Sequence, residues 1–215
     1  MRRARASSGT PPLPPQAWGG RGGVLRRGER TRAAIFLDRD GTINRSDVRD
    51  GVPIPPDGVE QLELLPGVPE ALERLRRAGF ALVVVTNQPD VARGTRERGA
   101  VEAIHAALRR RLPLDAIMCC YHDDPDDCAC RKPRPGMLVD AADHLGLSLA
   151  VSYLVGDRWR DTEAGRQAGC TTVLLRGPYS GGDQAWADFE ATDLGEATDI
   201  ILRCQEERAC EDLRR

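Results

Sequence analysis

Five short, unbroken apolar runs constrain this chain more than any other feature: Ala33–Leu37, Ala81–Val85, Ala116–Tyr121, Tyr153–Val155 and Thr172–Leu175. Segments of helical period lie between them. Val68, Leu72 and Leu75 recur at that spacing, with Pro69 near the start and Gly79 just past the end. Val101, Ile104, Leu108 and Leu112 mark a second helix, and Leu138, Ala141, Ala142 and Leu145 before Gly146 mark a third. A fourth runs from Asp161 to Ala168 and is closed by Gly169. Strands that are apolar throughout, rather than alternating, need cover on both faces. The pattern therefore predicts an α/β fold, a Rossmann-like doubly wound parallel sheet with helices on both sides. There is no internal repeat.

At 215 residues the chain has room for about one such domain, expected over residues 31–203, with residues 204–215 as a C-terminal tail. Residues 1–30 are a different kind of chain. They hold seven Arg, one Glu, six Gly and four Pro, so they carry six net positive charges against eight net negative ones on the rest. Such a stretch buries too little apolar surface to offset its ordering entropy and reads as disordered. A basic arm for nucleic acid and a transit peptide are open to it, but a dispensable or misassigned start is the preferred reading. No run of about 18 apolar residues exists, so a membrane span is excluded. With 31 basic and 33 acidic residues, the whole chain has no field for gripping nucleic acid. Residues 1–30 also lack the apolar core of a signal peptide, which places the protein in the cytoplasm, where thiols stay reduced.

The polar residues at the strand ends converge. Asp38 follows the first run, Thr86 the second and Gly156-Asp157 the fourth. In an open parallel sheet ligands bind at the carboxyl ends of strands, so three distant segments meet in one crevice. In Asp38-Arg39-Asp40-Gly41-Thr42, two carboxylates stand two residues apart where a strand stops, and Gly41 lets the chain turn away. Asp38 suits a nucleophile and Asp40 a general acid/base.

Asp38-x-Asp40-Gly41-Thr42, Thr86-Asn87-Gln88, Arg131-Lys132-Pro133 and Gly156-Asp157-x-x-x-Asp161, in that order, resemble the four motifs of haloacid-dehalogenase-superfamily phosphatases, over about residues 33–176. Ala92-Arg93-Gly94 and Pro135-Gly136-Met137 narrow the resemblance to the heptose bisphosphate phosphatase branch, with histidinol-phosphate phosphatases the near relatives. The resemblance implies a magnesium-dependent phosphomonoester hydrolase of carbohydrate metabolism that removes the 7-phosphate of a heptose 1,7-bisphosphate. Asp38 would form an aspartyl-phosphate and Asp40 would shuttle the proton. Magnesium would sit on Asp38, the Asp40 carbonyl and Asp157, with Asp161 orienting its shell. Thr86 and Lys132 would hold the transferring phosphoryl group. Asn87, Gln88, Arg131 and Arg158 would contact substrate. Lys132 stands out by composition too, as the single Lys beside 30 Arg. Arg158 has a second reading, an ion pair with Asp161 or Glu163. The loop Arg45-Ser46-Asp47-Val48-Arg49 departs from the branch's pattern, and only a Pro-rich flap from Gly51 to Pro56 stands where a large cap domain would be.

Seven Cys, four of them within twelve residues, point to metal rather than to disulfides. Cys120-x-His122, five residues, then Cys128-x-Cys130 offers three thiolates and an imidazole, which suits a closed structural zinc site that staples the loop just before Arg131 and Lys132. Cys119 and Cys170 read as core, Cys204 and Cys210 as idle thiols, His105 as packing, and Trp159 as packing or a crevice wall. The resulting expectation is a monomer acting on a small phosphorylated sugar, with neither membrane nor nucleic acid as partner. The alternatives are another small-molecule phosphatase, a nucleic-acid 3'-phosphatase, or a non-catalytic zinc-stapled binding module.

Overall fold

A computed structural model describes residues 32–49, 52–177 and 186–212. The Arg/Gly/Pro-rich stretch over 1–30 lies outside the described residues. The six sheet strands are β1 (Ala34–Leu37), β4 (Ala81–Asn87), β5 (Ala116–Cys120), β6 (Tyr153–Gly156), β7 (Thr171–Leu175) and β8 (Phe189–Ala191), ordered β5-β4-β1-β6-β7-β8. Every pairing among them is parallel, as the continuous apolar runs require. The chain builds outward from β1 to β4 and β5, then returns to lay β6, β7 and β8 on the other side. The order thus reverses at β1/β6, where doubly wound sheets bind ligands.

Five helices cover the sheet: α1 (Val68–Arg77), α2 (Arg98–Arg111), α3 (Gly136–Leu145), α4 (Trp159–Ala168) and α5 (Leu194–Asp212). Alternate side chains of each strand serve opposite faces. Ile35, Leu37, Leu82, Val84 and Val155 join a core with Leu72 and Leu75 of α1, Ile104 and Leu108 of α2, and Ile201 of α5. Ala34, Phe36, Val83, Val85 and Leu154 join a second core with Leu138 and Ala142 of α3 and Ala164 of α4. Each buried Leu, Ile or Val contributes about 1.5–3 kcal/mol. The two cores clamp β1 from both sides, which fixes the strand end that carries Asp38.

The segment between β1 and α1 holds only a hairpin, β2 (Asp47–Arg49) with β3 (Val52–Ile54), and a short turn of 3-10 helix; there is no large cap. Three details differ from the sequence pattern. β4 runs on through Thr86 and Asn87, so Thr86 lies within the strand rather than after it. β8 escapes the periodicity because it is a three-residue edge strand with one buried side chain, Ala191. The division expected at 203/204 falls inside α5, whose apolar face continues unbroken to Ile201 and whose helix extends to Asp212. Among the described residues no helix is long and apolar enough to cross a membrane.

Candidate functional site

Asp38 continues the ladder beyond β1, its N–H donating to the carbonyl of Val155 at 2.9 Å. Its carboxylate meets Lys132 from the segment between β5 and α3. Lys132 Nζ donates to Asp38 Oδ1 at 2.6 Å, to Asp161 Oδ1 at 2.6 Å and to the Val85 carbonyl at 2.7 Å. An ammonium has three N–H groups, so each has a partner here. Lys132 is 2% exposed. Burial opposes its charge, but Asp161 and Asp38 outweigh that and hold the ammonium above its ordinary range.

Asp157 follows β6 and closes the cluster: oxygens of Asp38, Asp157 and Asp161 lie within 4.8 Å of one another. Burial, then the charges of Asp38 and Asp161, push the Asp157 carboxyl up to about 8. Burial also raises Asp38, to about 6, against the pull of Lys132. Asp157 Oδ1 is buried and has no hydrogen-bond partner in the protein. Two glycines make the cluster possible. Gly41, at φ +92°, would place a Cβ 2.3 Å from Asp157 Oδ2, and a Cβ on Gly156 would lie 2.4 Å from the Asp161 side chain. Asp161 also accepts the Arg158 N–H at 3.1 Å, so it caps α4 while holding Lys132.

Asp40 sits in a separate cage. Oδ1 accepts from Arg39 Nη2 at 3.1 Å and Asn44 Nδ2 at 2.9 Å; Oδ2 accepts from Arg39 Nε at 3.0 Å and Gln88 Nε2 at 2.8 Å. Burial favours its neutral form, but Arg39, Asn44 and Gln88 outweigh it and hold the carboxyl below its ordinary value. Gln88 Nε2 also donates to Thr86 Oγ1 at 3.0 Å, which brings Thr86 to the same cage.

The structure thus gathers Asp38, Asp40, Thr86, Lys132 and Asp157 at one end of the sheet. The residues expected to touch substrate are mostly engaged within the protein. Asn87 exchanges two hydrogen bonds with the Lys132 backbone, at 3.0 and 3.1 Å. Arg131 donates to Asp124 at 2.7 Å, to the His122 carbonyl at 3.2 Å and to Asp123 at 3.4 Å. Arg160 reaches the same Asp124 at 3.0 Å. Arg158 is 3.8 Å from Asp157 rather than paired with Asp161 or Glu163, because Lys132 holds Asp161 and Arg166 holds Glu163. Trp159 is 37% exposed. Sequence reasoning gave no role to Arg39 or Asn44 and read His105 as packing; His105 is buried on the apolar face of α2 and also meets Arg39. Arg39 is wholly buried, and its Nη1 lies 3.1 Å from His105 Nε2. Burial and the Arg39 charge depress His105 to about 3, so its imidazole is neutral.

Cys120, His122, Cys128 and Cys130 converge beside this site. Their sulfurs are 3.3 Å (Cys130 to Cys120), 3.4 Å (Cys130 to Cys128) and 3.6 Å (Cys120 to Cys128) apart, and His122 Nδ1 is 3.4 Å from Cys130.

Residues 45–169 match the model of the haloacid dehalogenase-like hydrolases, a span that begins after the Asp38–Thr42 motif. The chain is 37% identical over 187 residues to D-glycero-beta-D-manno-heptose-1,7-bisphosphate 7-phosphatase of Escherichia coli K12, covering 80% of this chain and 95% of that one. The enzyme of that name from Bordetella bronchiseptica is 40% identical over 147 residues, 66% of this chain and 79% of that one. Among solved structures, D,D-heptose 1,7-bisphosphate phosphatase from B. bronchiseptica, complexed with magnesium and phosphate, superposes with TM-score 0.67 at 34% identity, over 80% of this chain and 98% of that one.

Proposed function

Because the chain belongs to the haloacid dehalogenase-like hydrolases and is a phosphatase, we propose that it removes the 7-phosphate of D-glycero-D-manno-heptose 1,7-bisphosphate. One observation carries the reading: the buried Lys132 ammonium bonds an oxygen of Asp38 while Asp157, beside it, keeps a buried oxygen without a hydrogen-bond partner, 3.8 Å from the Arg158 guanidinium. That oxygen needs a cation or a donor, since an unpartnered buried polar atom is costly. Asp38, Asp157 and the Asp40 carbonyl would form an all-oxygen set that suits magnesium, which would neutralise the phosphate so that an anionic nucleophile can approach it.

The protein's own groups account for the remaining steps. A carboxylate oxygen of Asp38 bonds to phosphorus as the bond to the sugar oxygen breaks, giving an aspartyl-phosphate. Lys132 exchanges one of its three protein partners for a phosphoryl oxygen, and Thr86 offers its hydroxyl to another, where charge is densest. Asp40 protonates the departing oxygen, then takes a proton from the water that releases phosphate and restores Asp38. Its cage of donors leaves the resting side chain ionised, so it gains a proton before it gives one. A phosphomonoester, whose second ionisation lies near pH 6, brings a proton in its monoanionic form. Asn87 positions Lys132 through two hydrogen bonds to its backbone, while Gln88, Arg131 and Arg158 are the side chains assigned to the sugar in this reading.

Cys120, His122, Cys128 and Cys130 hold a structural zinc in this reading. A zinc with bonds of about 2.3 Å to sulfur spreads tetrahedral thiolates about 3.8 Å apart, close to the spacing found. Reduced thiols fit a cytoplasmic monomer acting on a small solute. Phosphate release from both anomers of the heptose bisphosphate, histidinol phosphate and 3'-phosphorylated DNA, each with magnesium, tests the substrate. The heptose bisphosphate should have the highest kcat/KM; preference for either of the others overturns it.

A further inference from the structure

Among the buried side chains of α2, His105 stands beside Val101, Ile104, Ala107 and Leu108, and it is the one polar residue of that set. Its partner is Arg39, 66 positions earlier, whose guanidinium is wholly buried between α2 and Asp40. Arg39 uses Nε and Nη2 on the two oxygens of Asp40, which leaves Nη1 aimed at an otherwise apolar helix face. An apolar side chain at position 105 would strand that N–H without an acceptor, and a buried guanidinium responds by turning away. A protonated imidazole would set two cations 3.1 Å apart, so the neutral ring must present a bare Nε2 to Arg39 and carry its proton on Nδ1.

We propose that His105 is a positioning residue for departure of the leaving group: Nε2 accepts the Nη1 proton of Arg39 and so locks the guanidinium that orients Asp40. The inference rests on Asp40 being the acid/base of the proposed reaction. His105 touches no reacting atom and acts through Arg39.

Two substrates separate this role from general damage. A sugar alkoxide needs a proton to leave, whereas the phenolate of p-nitrophenyl phosphate does not, and kcat/KM reports only the steps up to formation of the aspartyl-phosphate. In His105→Leu, kcat/KM for the heptose bisphosphate should fall about tenfold or more, part of what general acid catalysis supplies. For p-nitrophenyl phosphate it should stay within about twofold. His105→Gln, whose side-chain oxygen can accept from Arg39, should recover most of the loss. A parallel fall on both substrates, or no fall on either, overturns the proposal. Nitrogen NMR of the wild-type ring gives a check that needs no variant, because Nε2 should be the unprotonated nitrogen across about pH 5 to 8. A proton on Nε2 overturns the assignment. Failure of the wild type to hydrolyse either substrate with magnesium overturns instead the phosphatase reading beneath it.

Discussion

Two clusters of like groups stand side by side at one edge of this molecule, and they resolve their repulsion differently. At the ends of β1 and β6, Asp38, Asp157 and Asp161 crowd together around an internal cation, Lys132, and one oxygen of Asp157 stays open. In the loop after β5, Cys120, Cys128, Cys130 and His122 converge, and the guanidiniums of Arg131 and Arg134 donate to the carbonyls of His122 and Cys128. In the first cluster Lys132 offsets part of the charge from within the protein. The second offers three thiols and an imidazole, a soft set against the hard oxygens of the first. The proposed function accordingly assigns an exchangeable ion to the first and a permanent one to the second.

The largest effect that would sharpen the contrast is Asp38→Asn, which keeps the shape and removes the nucleophile. Turnover should fall by about 10⁴-fold or more in a phosphate-release assay, and near-normal turnover would break the assignment. Next comes Lys132→Ala, which takes away the internal cation. It should cost about 10²- to 10³-fold in kcat. It should also lower the melting temperature, since Asp38 and Asp161 are left facing one another without their counterion. Unchanged kcat would show the lysine to be a structural tie only.

On the other side of the comparison, metal analysis should find about one zinc per chain, and Cys128→Ser should abolish it and lower the melting temperature by about 5–10 °C. Zinc that survives the change would break the closed-site reading. The smallest effect concerns pH. Asp157 is raised to about 8 from an ordinary 3.8, so between about pH 6.5 and 8, above the range where the depressed His105 works the other way, the folded, metal-free chain holds a proton that the unfolded one has lost. Stability of that form should therefore decline as pH rises through this window. Magnesium competes with the same protons, so the melting-temperature gain on adding it should grow toward pH 8. A gain that shrinks with pH would contradict the site.

The strand ends were legible because chemistry there is written locally. Asp38 and Asp157 stand directly after apolar runs, and the spacing of Cys120, His122, Cys128 and Cys130 already names a ligand set. The cage around Asp40 was not legible. Gln88 lies 48 positions from Asp40 and His105 66 from Arg39, and neither carries a local pattern. A histidine beside Ile104 on an apolar helix face reads as packing, and only the position of Arg39 makes it an acceptor. Likewise Asn87 and Arg131 carry polarity that suits substrate, but the fold places Lys132, Asp123 and Asp124 within their reach.

By itself the sequence determined the layered parallel architecture, since the period of apolar residues sets which faces need cover. It also determined the inventory of donors, because residue types fix hardness and charge. Tertiary structure decided which partner each polar group receives, because hydrogen bonds and ion pairs depend on distances across the sheet that no linear spacing encodes. The ionised state of Asp40, the raised carboxyl of Asp157 and the neutral ring of His105 are all consequences of those distances.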